Sequence, residues 1–237
     1  MFARGPVRPG AHPTLVPRAG PLPTCHPLAR AVWNRPAADA DIVTRGVVIA
    51  PDIMGVRPLF TDMAARLADE HGWTTRVVEP FVGQEHLSLE ERLRTPLDVD
   101  CVVGDLVAAA DDTGCDRVAV VGFCRGGLHA YQAAATGRFD RGVSFYGMIR
   151  VPEEWNPGRG EPLELLATPK ACPVLAIVGG RDPYTPPDDL EALRALPNVE
   201  VVVYPEADHG FVHDPERPAH RADAAADAWK RVVEFLA

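Results

Sequence analysis

Residues 118–127 read V-A-V-V-G-F-C-R-G-G. Four apolar residues with little alternation suit a strand buried on both faces of a parallel sheet. The run breaks at Gly122, and residues 128–135 then carry a helical pattern. Strand, sharp turn and helix in that order have the form of the nucleophile elbow, G-x-S-x-G, here with Cys124 in the serine position. So tight a turn leaves no room for a side chain two places before or after the nucleophile, and glycine, Gly122 and Gly126, stands at both. A thiol held there rises above the carboxyl end of the sheet, beside a helix N-terminus whose free N–H groups and dipole favour a thiolate. A cysteine in an apolar stretch is more often a small buried hydrophobe. The strand before it and the helix after it are what single out Cys124.

The rest of the chain supplies the sheet that such an elbow needs. Residues 43–50 and 75–78 read as strands, with helical spacing of Phe60, Met63, Ala64 and Leu67 between them and Gly72 as the stop. Residues 87–94 and 99–110 are helical in pattern, interrupted at Pro96. After the elbow come strands at 142–146, 174–178 and 199–203 and helices at 188–196 and 222–236. The stretch 148–168 is irregular, with a short helix near 163–167. Residues 29–33 read as an edge strand before Pro36. Strands alternating with helices imply an α/β fold, a mostly parallel central sheet covered by helices on both faces. No long insertion separates Gly147 from the strand at 174, so no large lid is expected.

At 237 residues and 46% hydrophobic content the chain can bury one substantial core. Residues 1–27 are rich in proline and arginine and precede the first acid, Asp39, so they read as a disordered tail ahead of one domain at 28–237. A net charge of −9 gives no basic footprint for nucleic acid. No apolar run is long enough to cross a bilayer, and the tail lacks the apolar core of a secretory signal. Cys25, Cys101, Cys115, Cys124 and Cys172 are widely spaced and odd in number, which reads as reduced thiols in a cytoplasmic protein. No Cys/His ligand spacing calls for a metal, and no cofactor is expected.

A nucleophile elbow requires an acid and then a histidine, each on a loop after a later strand. Asp182, in Gly-Gly-Arg-Asp-Pro, and His209, in Asp-His-Gly-Phe, meet that order. Alone, each is ordinary loop chemistry; their joint order makes them the candidate orienting acid and general base. The backbone N–H groups of Arg125 and of Ile53, on the loop after the first central strand, are the candidate oxyanion donors. Together these residues compose an acyl-transfer site. Thiolate leaves more readily than amide nitrogen, so esters, lactones and thioesters rank before peptides.

From about residue 28 to 237 the chain resembles the dienelactone hydrolase (carboxymethylenebutenolidase-like) family of the α/β-hydrolase superfamily. The likeness rests on Gly122-Phe123-Cys124-Arg125-Gly126-Gly127, Gly180-Arg181-Asp182, Asp208-His209-Gly210-Phe211 and the closing helix. It implies a Cys-His-Asp triad that opens lactone rings through a thioester acyl-enzyme. Two departures stand out. Where the family often has Glu-Ile-Phe-Gly, this chain has Asp52-Ile53-Met54-Gly55. The resemblance makes Asp52 a candidate switch contacting the resting thiol, against its reading as a turn carboxylate. Where characterised members carry a substrate-binding arginine four places after the histidine, this chain has His213. Arg57, Arg92, Arg94 and Arg217 are the possible substitutes, each otherwise a surface charge. Arg57, Phe123, Tyr146, Tyr184, Phe211 and His213 are the candidate pocket residues. The expected partner is a small-molecule ester or lactone, with no nucleic acid or membrane and with a monomer or weak homodimer as the assembly. A thioesterase or acyltransferase on the same three residues, and a catalytically weak binding module of the same fold, remain open beside the ester hydrolase.

Overall fold

The structure, a computed structural model, describes residue 25, residues 30–33 by their backbone, and residues 43–155 and 160–237. The tail expected at 1–27 lies outside the described residues except for Cys25, which forms a disulfide with Cys101. That bond corrects the expectation of five reduced thiols. Wide spacing and an odd count could not reveal it, because a disulfide needs only that two Cα atoms approach within about 6–7 Å, and these two stand 5.3 Å apart.

Among the described residues the strands form one sheet in the order β1 (Arg30–Trp33), β3 (Thr74–Val78), β2 (Arg45–Ala50), β4 (Arg117–Phe123), β5 (Arg141–Phe145), β6 (Val174–Gly179) and β7 (Val199–Tyr204). β1 pairs antiparallel at the edge and every other neighbour is parallel. The helices are α1 (Pro58–His71), α2 (Leu89–Arg94), α3 (Val99–Asp111), α4 (Arg125–Ala134), α5 (Pro162–Leu166), α6 (Pro187–Arg194) and α7 (Ala222–Leu236).

Two-residue alternation along each strand splits the core into two layers. Val47 and Ile49 face one side with Val121 and Phe123, where α1 lays down Phe60, Met63 and Leu67 and α7 lays down Ala228, Val232 and Leu236. Val48 and Ala50 face the other with Val118 and Val120, against Val103 and Leu106 of α3 and Ala130 and Tyr131 of α4. Each fully buried Val, Leu or Ile contributes roughly 1.5–3 kcal/mol relative to exposure. Unalternated apolar strands are thus the expected signature of a sheet with no wet face. α1 opens with Pro58 in its first turn, where the missing N–H costs nothing, and closes on left-handed Gly72, whose N–H reaches Ala68 O at 2.9 Å.

The topology decides where a site can lie. From β2 the chain moves outward to β3, then returns past β2 to β4 and continues in the opposite direction. The order reverses between β2 and β4, and the loops leaving their carboxyl ends diverge to leave a crevice. Residues 51–57 follow β2 and Cys124 follows β4.

Candidate active site

Cys124 occupies the single residue between β4 and α4, with φ 54° and ψ −117°. A non-glycine residue there is strained, and such strain is tolerated where the surroundings over-determine it. Its N–H is fixed on Phe145 O at 3.0 Å, and its carbonyl accepts from Leu128 N–H at 3.2 Å. The flanking glycines are obligatory by contact. A Cβ on Gly122 would fall 2.0 Å from Gly126 O, and one on Gly126 would fall 2.1 Å from Ala50 O.

The loops after β6 and β7 are brought together by the same device. A Cβ on Gly179 would lie 2.5 Å from Ala207 O, and one on Gly180 would lie 2.5 Å from Pro205 O. Arg181 N–H donates to Ala207 O and Gly180 N–H to Tyr204 O. This close approach sets Asp182 Oδ2 2.8 Å from His209 Nδ1, while Asp182 Oδ1 accepts from Tyr184 N–H at 2.9 Å. Both carboxylate oxygens are therefore engaged, and the imidazole is held with Nδ1–H donating and Nε2 turned elsewhere. Burial by itself would lower the His209 pKa, but the hydrogen bond to Asp182 and the hydrogen bond and charge of Cys124 overcome it and raise the value to about 9. Nε2 has no partner of full hydrogen-bond geometry. Cys124 thus acts on it from an approach looser than a formed bond, as is common for catalytic groups without substrate.

No hydrogen bond joins Asp52 to the Cys124 thiol in this conformation, so the switch contact expected of it is not formed here. Its carboxylate is held by Arg57 through Nη1 at 2.7 Å and Nη2 at 2.8 Å, by His213 Nε2 at 2.8 Å and by Met54 N–H at 2.9 Å. Burial works against the charge, yet His213 and Arg57 more than offset it and hold the pKa far below the usual carboxylate range. Burial, outweighing the pull of Asp52, lowers the pKa of His213, so its imidazole is neutral. An ionised carboxylate only accepts, so the proton is on Nε2 and Nδ1 takes the hydroxyl hydrogen of Tyr146. Burial also raises Tyr146 well above its ordinary pKa, keeping it a donor. Arg57, Asp52, His213 and Tyr146 form one chain of directed bonds under the crevice, with His213 and Tyr146 buried. His213, a candidate pocket residue by sequence, is buried here as a link between Asp52 and Tyr146.

Of the other pocket candidates, Phe123 and Phe211 are fully buried, stacked respectively on Phe145 and edge-on to Tyr146, and expose no surface to a ligand. Tyr184 is 56% exposed with its ring edge-on to His209 at 4.9 Å, and it can border a substrate. Arg94 is a surface ion pair with Glu90, and Arg217 packs against Gly210. Arg92 is not a surface charge: it is buried, with Nε on Leu87 O at 2.9 Å and Nη1 on Ile53 O at 3.3 Å. It thereby anchors the Ile53 peptide, a role that sequence reasoning missed. The backbone N–H groups of Ile53 and Arg125 have no acceptor among the described residues. Those residues also contain no cluster of side chains able to hold a metal ion and no helix long and apolar enough to cross a membrane.

A parallel sheet with a nucleophile-type elbow at its reversal point and acid and histidine loops after later strands defines the α/β-hydrolase class. Within it, the dienelactone hydrolase family model matches residues 30–237. The chain belongs to that family, and is a hydrolase of the carboxylic-ester type. The "Putative carboxymethylenebutenolidase" of Methylorubrum extorquens is 32% identical over 210 residues, covering 80% of this chain and 70% of that one. The protein of the same name from Salmonella typhimurium is 30% identical over 225 residues, covering 87% and 82%. The crystal structure of a "Putative Dienelactone Hydrolase" from Klebsiella pneumoniae superposes with a TM-score of 0.73 at 28% identity, covering 85% of this chain and 90% of that one. A thermophilic esterase from Thermogutta terrifontis, at 15% identity and a TM-score of 0.62, shares the fold.

Proposed function

We propose that the protein hydrolyses small esters or lactones through a thioester on Cys124. Cys124 Sγ attacks the carbonyl carbon with its proton already held on His209, which then donates it to the departing alkoxide. It next removes a proton from water for attack on the thioester, and Sγ leaves as thiolate. Asp182 holds the imidazole in its tautomer and stabilises the imidazolium. The N–H groups of Ile53 and Arg125 receive the tetrahedral oxyanion, each such donor being worth about 3–4 kcal/mol in comparable sites. The observation that carries this reading is the Asp182–His209 bond at 2.8 Å beside a cysteine held at positive φ. No cofactor enters the scheme.

The acyl group favoured is a neutral one. Arg57, the arginine nearest Asp52, is bound to it through both terminal nitrogens, so a substrate carboxylate would have to displace Asp52 to reach it. Steady-state hydrolysis of p-nitrophenyl acetate by the wild type and Cys124→Ala tests the proposal. Wild type should turn over with a thioester detectable by mass spectrometry, and Cys124→Ala should lose about a thousand-fold or more in kcat/KM. Equal rates in the two proteins would overturn it.

A further inference from the structure

α2 is held to the body of the protein by guanidinium bonds rather than by packing. Its 6 residues are too few for a helix to persist alone in water, and short helices ordinarily survive by burying an apolar face. α2 buries none: Leu89 and Leu93 are exposed, and the buried side chain of the helix is Arg92. A capping box between Ser88 and Glu91 closes its first turn. The carbonyls of its last turn are taken up from outside. Arg125 Nη1 donates to Arg92 O at 2.9 Å and Nη2 to Thr95 O at 2.8 Å, while Trp155 Nε1 donates to Leu93 O at 2.8 Å. Arg125 is buried, with its guanidinium 4.1 Å from the Trp155 ring centre and 5.0 Å from that of Phe81. These bonds are therefore shielded from competing water.

The helix passes this restraint on through the Arg92 side chain, which reaches three carbonyls: Nε donates to Leu87 O at 2.9 Å, Nη2 to Glu85 O at 2.5 Å and Nη1 to Ile53 O at 3.3 Å. The guanidinium sits 4.6 Å from the Phe81 ring centre. The Ile53 carbonyl shares its peptide with Met54 N–H, which is bound to Asp52 Oδ1 at 2.9 Å. The peptide before it is pinned where Gly55 N–H meets Asp52 O at 2.9 Å. Peptides are planar, so fixing the planes on both sides of Ile53 fixes the direction of its N–H. At the other end of this path Arg125 carries the second proposed oxyanion N–H on its own backbone. Arg125 side chain, α2, Arg92 side chain and Ile53 thus form a continuous strut joining the two donors.

We infer that Arg92 and the Arg125 side chain are positioning residues for ester hydrolysis: acting through α2, they set the spacing of the Ile53 and Arg125 N–H groups that receive the tetrahedral oxyanion. This rests on the hydrolytic reading of Cys124 given above. The oxyanion develops only after attack, so displaced donors lower kcat and leave KM nearly unchanged. Lysine keeps the charge of Arg92 but offers one nitrogen in place of a fork, so Arg92→Lys loosens the strut without removing the cation. On p-nitrophenyl acetate it should lose about ten- to a hundred-fold in kcat, the scale of a misplacement of up to about 1 Å, with KM within about three-fold. Alkylation of Cys124 by iodoacetamide expels iodide and forms no oxyanion, so its rate should stay within about two-fold of wild type. Arg94→Gln, on the exposed side of the same helix, should match wild type in both assays. Trp155→Phe removes only the bond to Leu93 O and keeps a ring over Arg125; it should lose about three- to ten-fold in kcat, again with alkylation preserved. A folded Arg92→Lys protein with wild-type kcat would overturn the inference. So would hydrolysis and alkylation falling together, which would give Arg92 a purely structural role. If circular dichroism shows Arg92→Lys unfolded, Trp155→Phe decides, and an unchanged kcat there overturns the strut. Equal ester rates in wild type and Cys124→Ala would overturn the hydrolytic reading itself, and the strut with it.

Discussion

At Asp182 both carboxylate oxygens are spent, one on Tyr184 N–H and one on His209, and the consequence is a histidine that keeps its proton to about pH 9. The folded pKa lies above the 6.5 of a free imidazole. The proton therefore stabilises the fold fully below pH 6.5, and that contribution is lost as pH rises through 9. The proposed deacylation needs a neutral imidazole, so its rate should move the opposite way and climb across this interval. Acylation removes the charge on Sγ that helps hold the imidazolium, which brings the kinetic midpoint below 9. A pH series of kcat for a neutral aryl ester should rise between pH 6.5 and 9, and Asp182→Asn should cut kcat by about two orders of magnitude or more. A plateau or fall in the wild-type profile over that range would contradict the role given to His209.

The strand–turn–helix element around Cys124 depends on backbone proximity more than on side-chain packing. A methyl at residue 126 would collide with the Ala50 carbonyl at 2.1 Å, and backbone cannot step aside as a rotamer can. At Gly142, inside β5, the same methyl would meet the Ala134 and Val174 side chains at 3.1 and 3.2 Å. Gly126→Ala should accordingly cost several kcal/mol or prevent folding, and Gly142→Ala should fall near the ordinary ~1 kcal/mol of a point substitution. Urea unfolding midpoints of the two variants read this ordering directly; a Gly126→Ala protein as stable as Gly142→Ala would show that the turn is looser than its contacts imply.

Over the whole molecule, the Cys25–Cys101 bond ties a residue ahead of the family-matched region to α3, across 76 positions of sequence. Closing a loop of that length constrains the unfolded chain, typically by about 2–4 kcal/mol. For a chain of this size that corresponds to roughly 5–15 °C in Tm. Calorimetry of the oxidised protein and of Cys25→Ser should differ by this amount, while kcat/KM on a small ester stays within about two-fold, since neither cysteine borders Cys124. An unchanged melting temperature would show that the cross-link orders only the segment before β1.

What could be read from the sequence is local or periodic. The elbow, the acid and histidine loops, the strand and helix order and the α7 helix each announce themselves within ten or fifteen residues. That is because glycine spacing and apolar period are direct records of steric and burial demands. What tertiary structure decided is how distant groups satisfy one another. Asp52 meets His213 across 161 positions, and Arg125 and Arg92 are buried because loop carbonyls converge on guanidiniums that composition alone assigns to the surface. Phe123 and Phe211 fall inside the core although they adjoin Cys124 and lie two residues from His209. A polar partner chosen through space leaves no period in the chain, so its identity emerges only when the sheet brings the loops together.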